Sequence, residues 1–261
     1  MVNRLKRIFL KNKKKKIGVI IEARSNSSRL PNKHFLKVFN KTILEHLIFR
    51  IKNISNINTI IIATTKNKSD DKISKLAKRN NVKVFRGSEN NVTQRVLEAA
   101  KHYKLNFVCE ITGDCPIIDP FLVEQLVDTF LLNSDKIDYM SNSQLGLPNG
   151  MGCQIFSTKI LQDSYKNITK EDEFEHVTLH IRRNPKIYKQ VYFLPQKKLS
   201  WTDLGLTLDE KKDYLLLKKI IEYFSKKPLF TCEDVIDLLN KRKKWIKINS
   251  KVKRKENYIK I

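Results

Sequence analysis

With 261 residues, 41% of them hydrophobic and 30% charged, the chain has the make-up of a globular protein able to bury the core of one large α/β domain, and no apolar stretch approaches the roughly 20 residues that span a bilayer. The net charge of +25 invites a nucleic-acid partner, but residues 1–16 and 241–261 carry +17 of it and the body between them +8. A near-ordinary body with basic ends, in a chain rich in Lys, Asn and Ile throughout, argues against a specific nucleic-acid face and leaves weak attraction of the ends to anionic surfaces.

The basic N-terminal tail, residues 1–16, holds the apolar run Ile8-Phe9-Leu10, far too short for a signal-peptide core. Ile17–Ala23 then reads as a central strand, because a short continuous apolar run suits a sheet covered on both faces. A loop rich in Ser and Asn follows, carrying Arg24, Arg29 and Lys33. The apolar residues Ile43, Leu44, Leu47, Ile48 and Ile51 keep helical spacing, with Thr42 and Glu45 as a capping box. Thr59–Thr64 is a second strand, Ser69 caps a helix through Arg79, and Val82–Arg86 is a third strand. Asn91 with Gln94 opens a helix through Tyr103, Phe107–Thr112 is a fourth strand, and Asp119-Pro120 starts the next helix with Pro at its first position.

This β-α alternation predicts an α/β fold with a mostly parallel, doubly wound sheet. The second half is less regular. Strands are expected within 136–156 around the Pro148-Asn149-Gly150 turn and over Val191–Leu194 and Ser200–Leu208, with helices over Thr169–Arg183, Asp209–Phe224 and Thr231–Leu239. One domain over 17–240 with a basic C-terminal tail from 241 is the expected organisation. Cys109, Cys115, Cys153 and Cys232 form no C-x-x-C pair, as expected of reduced thiols in a cytoplasmic protein.

Ligands of such sheets bind beyond the carboxyl ends of the strands, where the pattern places the Arg24 loop, Thr64-Thr65, Arg86-Gly87-Ser88 and Gly113-Asp114. Two arginines and a lysine spaced along a small-residue loop suit a polyphosphate, the arginines forking onto oxygens and the lysine acting as a point charge; a solvated basic turn is the other reading. The loop is neither G-x-x-x-x-G-K-S/T nor G-x-G-x-x-G. Asp114, at a strand end beside those cations, suits a divalent ion shared with phosphates, or else it shapes the turn before Pro116. Asp209 at the end of Leu206-Thr-Leu-Asp is a second carboxylate of that kind and equally a natural helix N-cap. Glu175-His176 offers a base or a substrate hydrogen bond, or a structural pair. The five histidines lack metal-ligand spacing such as H-E-x-x-H, and no nucleophile elbow or Cys/His constellation stands out.

Together, Ala23-Arg24-Ser-Asn-Ser-Ser-Arg29-Leu-Pro-Asn-Lys33, Ala63-Thr-Thr65, Phe85-Arg86-Gly-Ser88-Glu89, Ile111-Thr-Gly-Asp114-Cys-Pro116, Glu175-His176-Val-Thr178 and Leu206-Thr-Leu-Asp209 resemble the cytidylyltransferases that activate acidic sugars. The resemblance is especially to the branch named for spore-coat polysaccharide synthesis, with acylneuraminate and 3-deoxy-manno-octulosonate cytidylyltransferases as relatives. The resemblance implies a nucleotide-diphospho-sugar transferase (Rossmann-like) fold that condenses CTP with a sugar, makes a CMP-sugar for surface polysaccharide or glycoconjugates, and releases pyrophosphate. It implies Arg24, Lys33 and Asp114 as the catalytic groups and Ala23, Arg24, Arg29, Lys33, Arg86 and Ser88 around the nucleotide. Asp114 and Asp209 would hold Mg²⁺, Glu175 and His176 would face the sugar, and a homodimer is the implied assembly. The chain departs from the pattern at Asn32, where relatives carry Gly; at Gly152 and Gln154, where they often carry acids; and after Asp209, where Thr-Pro is missing. Rival readings are a transferase of this fold using another nucleotide, a glycosyltransferase, whose Asp-x-Asp motif is absent, and a non-catalytic basic binding protein.

Overall fold

Strand β1 (Ile17–Glu22) is buried from Ile17 through Ile21, as its unbroken apolar sequence requires of a strand covered on both faces. The computed structural model describes residues 15–143 and 145–254; most of the N-terminal tail and residues 255–261 lie outside them. After β1 and the cationic loop, a small hairpin, β2 (Lys37–Val38) with β3 (Lys41–Thr42), leads into α1 (Ile43–Ile51), which begins with the reciprocal Thr42–Glu45 capping box. Next come β4 (Thr59–Thr65), α2 (Asp71–Arg79), β5 (Lys83–Gly87), α3 (Val92–His102), β6 (Phe107–Thr112) and α4 (Pro120–Asn133). Asp119 caps α4 through the Phe121 and Leu122 N–H groups. β7 (Tyr139–Ser141), β8 (Gln154–Ser157), α5 (Thr158–Lys166), α6 (Asp172–Glu175), α7 (Leu179–Arg183), β9 (Gln190–Tyr192), α8 (Lys211–Tyr223), α9 (Cys232–Lys241) and α10 (Lys243–Ile246) complete the order.

The seven-stranded sheet runs β5-β4-β1-β6-β8-β7-β9. β1 pairs in parallel with β4 on one side and β6 on the other, and β5 extends the parallel set; β8 is antiparallel to both β6 and β7, and β9 is parallel to β7. One face is covered by α1, α2 and α4, through Leu44, Leu47, Ile73, Leu76, Leu126 and Phe130 among others. The other is covered by α3, α5 and α7 through Val96, Leu161 and Ile181. The fold is therefore doubly wound and mostly parallel. A third apolar cluster joins α8 and α9 to Leu204, Leu206 and Leu208, so the second half supplies its own packing layer.

Four local expectations differ from the structure. A 3₁₀ turn over Lys68–Asp70 precedes α2, and Asp70 rather than Ser69 stands at its start. The helix expected over 169–183 is broken into α6 and α7, because the Thr178 hydroxyl donates to Gln154 Oε1 (2.6 Å) on β8. Residues 200–208 form no strand; they bond to loops, Trp201 N–H to the Gly146 carbonyl (2.7 Å) and Leu206 N–H to that of Asn149 (2.8 Å). Asp209 is not the cap of α8. Glu210 stands there, its N–H accepted by Asp213 Oδ2 at 2.9 Å. The basic stretch from 241 is folded as far as 254, with Asn249 and Val252 buried. All four cysteines are free and buried, and among the described residues no helix is long and apolar enough to cross a membrane.

Candidate active site

The chain leaves β1 toward β4 on one side and later returns to β6 on the other, which makes the carboxyl ends of β1 and β6 the point where the winding reverses. Loops diverge there and leave a crevice. The loop after β1 is held open by a buried carboxylate: Asp70 Oδ1 accepts the Ser25 N–H (2.7 Å), and Oδ2 accepts the Thr65 N–H and hydroxyl at 3.2 and 2.5 Å. Asn32 takes φ 59°, a left-handed conformation Asn tolerates, and a 3₁₀ turn over Lys33–Phe35 aims Lys33 inward. Opposite, Gly113 packs so closely that a Cβ would sit 2.7 Å from the Glu22 carbonyl oxygen. The β6 loop thereby lies against β1.

Lys33 joins the two carboxylates singled out in the sequence. Its Nζ is 2.9 Å from Asp114 Oδ2 and 3.5 Å from Asp209 Oδ1, and Arg29 Nη2 lies 2.8 Å from the same Asp209 oxygen. Thr112 Oγ1 donates to Asp114 Oδ1 (2.6 Å) and Thr207 Oγ1 to Asp209 Oδ2 (3.0 Å), so both carboxylates are oriented. Burial alone would push the Asp114 carboxyl up; the Lys33 charge and the bonds from Thr112 and Lys33 outweigh it and hold the group at about 2. For Lys33, burial favours the neutral amine, but Asp114 and Asp209 raise its pKa above the ordinary value. His34 beneath it is lowered to about 4 by burial and by Lys33, so at neutral pH it adds no charge. Among the described residues no group of three or more His, Cys, Asp or Glu is gathered for a metal ion.

These groups line a cleft of about 1000 Å³ that also takes in Ala23, Arg24, Ser27, Ser28 and Arg95. The buried Arg95 is fixed by donating to the Ser88 carbonyl, and burial and the facing Arg24 lower its pKa. The cleft is thus walled by Arg24, Arg29, Lys33 and Arg95. A second cleft of about 930 Å³ shares Glu22, Thr112, Glu175 and His176 with the first and adds Gln154, Asn149 and Arg182. At the boundary the half-buried Glu22 and the buried Glu110 form a carboxyl pair. Burial and mutual repulsion push Glu22 well up, and burial raises Glu110. Gln154 Nε2 donates to Glu110 Oε2, while Glu22 Oε1 has no hydrogen-bond partner.

A family model for cytidylyltransferases matches residues 18–250. The chain belongs to the cytidylyltransferase family. This cytidylyltransferase is 36% identical over 242 residues to a Methanocaldococcus jannaschii protein, covering 92% of this chain and 97% of the other. It is 27% identical over 227 residues to the spore coat polysaccharide biosynthesis protein SpsF of Bacillus subtilis, with 85% and 93% covered. The 3-deoxy-manno-octulosonate cytidylyltransferase of Solibacter usitatus is 32% identical over 115 residues, 43% of this chain and 44% of that protein. A cytidylyltransferase structure from Leptospira borgpetersenii superposes with a TM-score of 0.84 at 33% identity, covering 89% of this chain and 97% of that one. The nucleotide-diphospho-sugar transferase fold and a nucleotidyltransferase activity follow.

The cytidylyltransferase gathers Ala23, Arg24, Arg29, Lys33, Asp114, Asp209, Glu175 and His176 on one cleft. Arg86 and Ser88, expected at the nucleotide, do not line it. Arg86 instead pairs with Asp71 (2.5 Å) and donates to the Thr65 and Asn67 carbonyls, and the Ser88 hydroxyl accepts the Asn91 N–H at the start of α3. Glu22, Arg95, Glu110 and Arg182 were not singled out in the sequence. Glu22, as an acid closing an apolar strand, was the visible signal; Arg95 sits in an ordinary amphipathic helix and gives none.

Proposed function

We propose that this cytidylyltransferase condenses CTP with a hydroxyl of a sugar, an acidic sugar on the example of the 3-deoxy-manno-octulosonate enzyme, yielding a CMP-sugar and pyrophosphate for surface polysaccharide or glycoconjugate synthesis. The observation that carries it is Lys33 bridging Asp114 and Asp209 in a cleft walled by three arginines. Cations and carboxylates so placed suit a polyphosphate and a divalent ion side by side. The two carboxylates fit Mg²⁺: Asp114 is held ionised, both are oriented by threonines, and two protein carboxylates plus phosphate oxygens and water complete the shell this ion takes. When bound, the ion would polarise the α-phosphate and neutralise charge on the leaving pyrophosphate.

The chain's own groups do the rest. Arg24, Arg29 and Lys33 clamp the triphosphate, and displacement at phosphorus needs such alignment and charge neutralisation more than a protein nucleophile. The sugar hydroxyl oxygen bonds to the α-phosphorus as the bridge to the β-phosphate breaks; pyrophosphate departs with the bridging oxygen, and the hydroxyl proton passes to solvent. The adjoining cleft, with hydroxyl and amide groups and Arg182 as the cation for a carboxylate, holds the sugar, and Glu175 and His176 lie between the two compartments. Calorimetric titration with CTP, UTP, ATP and GTP, with Mg²⁺ and with chelator, tests the reading. Selective, Mg²⁺-dependent CTP binding that Lys33→Ala abolishes is expected. Weak, unselective binding that fades with salt would overturn it.

A further inference from the structure

Asp213 lies wholly buried near the start of α8, far from the cationic loop in sequence, yet it is tied to that loop from two directions. Its Oδ2 accepts the N–H groups of Asp209 (3.1 Å) and Glu210 (2.9 Å). Its Oδ1 accepts Asn249 Nδ2 (2.8 Å) and Arg254 Nη2 (2.6 Å), so the acceptor sites of the carboxylate are filled. Beside Arg254, the Lys253 carbonyl accepts Arg29 Nη1 (3.1 Å), and Arg29 Nη2 closes on Asp209 (2.8 Å). The result is a ring, Arg29–Asp209–Asp213–Arg254–Lys253–Arg29. It fixes one triphosphate cation and one of the two carboxylates through the chain's last described residues.

A second observation shows that the fit is built. The Arg254 guanidinium lies flat on Gly205, where a Cβ would stand 1.8 Å from its Cζ, so no other residue fits at 205 with Arg254 in place. The Gly205 carbonyl also accepts Asn249 Nδ2 (2.9 Å). The segment after α10 is thus seated on the irregular stretch that delivers Asp209.

We propose that Arg254 is a positioning residue of the nucleotide site, holding Asp209 through Asp213 and Arg29 through the adjacent Lys253 carbonyl, so that the basic C-terminal segment belongs to the binding machinery. The proposal rests on the CTP reading above. Partners that directly support a metal's ligands typically change affinity by about 10- to 100-fold when removed; Arg254 reaches Asp209 through Asp213 and is expected at the lower end of that range. The experiment is calorimetric titration of the full chain with CTP and Mg²⁺ for wild type, Arg254→Ala and Gly205→Ala. Circular dichroism establishes that each is folded. Gly205→Ala displaces the guanidinium while leaving every charge in place. Both variants are expected to bind Mg²⁺·CTP about tenfold or more weakly, a loss per folded molecule that a merely structural role would not produce. Should Arg254→Ala fail to fold, Gly205→Ala decides alone. Unchanged affinity in a folded variant overturns the positioning role, whereas no CTP binding by the wild type overturns the CTP reading and this one with it.

Discussion

Replacing Asp114 by Asn keeps the shape of the side chain and removes the charge that Lys33 and Thr112 are arranged to hold. In the fold the carboxyl titrates at about 2 against an ordinary 3.8, so its ionised form contributes about 2 kcal/mol of stability at pH 7. The sign follows from the depressed value: the contribution is complete above the unfolded-state pKa and is lost as pH falls toward 2, with about half remaining at pH 3. Asp114→Asn is therefore expected to be about 2 kcal/mol less stable than wild type at pH 7, a melting shift of about 5 °C for a domain of this size. The gap should narrow to about half at pH 3. Denaturant unfolding at several pH values measures it, and calorimetry on the same samples should show Mg²⁺-dependent CTP binding abolished. Equal stabilities at pH 7, or a gap that stays constant down to pH 3, would refute the electrostatic argument; a variant that still binds Mg²⁺·CTP normally would refute the metal assignment.

Arg86→Ala removes an ion pair to Asp71 and two carbonyl contacts outside the cleft. It should cost no more than about 1.5 kcal/mol in chemical denaturation and leave CTP affinity unchanged; a collapse of affinity would return Arg86 to the nucleotide. Asp70→Ala strips the Ser25 and Thr65 donors of their acceptor. A loss of about 3 kcal/mol, together with weaker CTP binding, is expected, and a neutral effect would show that the loop needs no such clamp. Glu22 is held well above its ordinary 4.5 by burial and by Glu110, so a raised acid counts against the fold as pH climbs past that value. Glu22→Gln should accordingly be more stable than wild type at pH 7 and lose the advantage near pH 4, and the opposite trend in melting against pH would contradict the pair.

Much of the frame was legible because the controlling forces are local. Apolar runs marked β1, β4 and β6 almost to the residue, even with Glu110 inside β6, and Thr42–Glu45 and Asp119-Pro120 opened α1 and α4 as their capping chemistry requires. Alternation then put the loops after β1 and β6 together, which is why Lys33 and Asp114 could be paired on paper. Where the expectation failed, a long-range polar contact had overridden local preference. Residues 169–183 have helical composition, yet Thr178 bonds to Gln154 at the start of β8 and the helix breaks. Nothing near Asp213 announces Arg254, because that ion pair joins α8 to the far end of the chain.

The four buried thiols give the molecule an internal clock. Cys109 lies in β6, Cys115 beyond it, Cys153 just before β8 and Cys232 at the first turn of α9; burial raises Cys115 and takes Cys232 to about 12, and a hydrogen bond with the neighbouring Cys109, with burial, raises Cys153. Since only an exposed thiolate reacts appreciably with an alkylating reagent, each sulfur is labelled at the rate at which its surroundings open. Mass spectrometry of a pulse-labelled sample would therefore time the sheet centre and the α8–α9 layer separately, without any introduced cysteine.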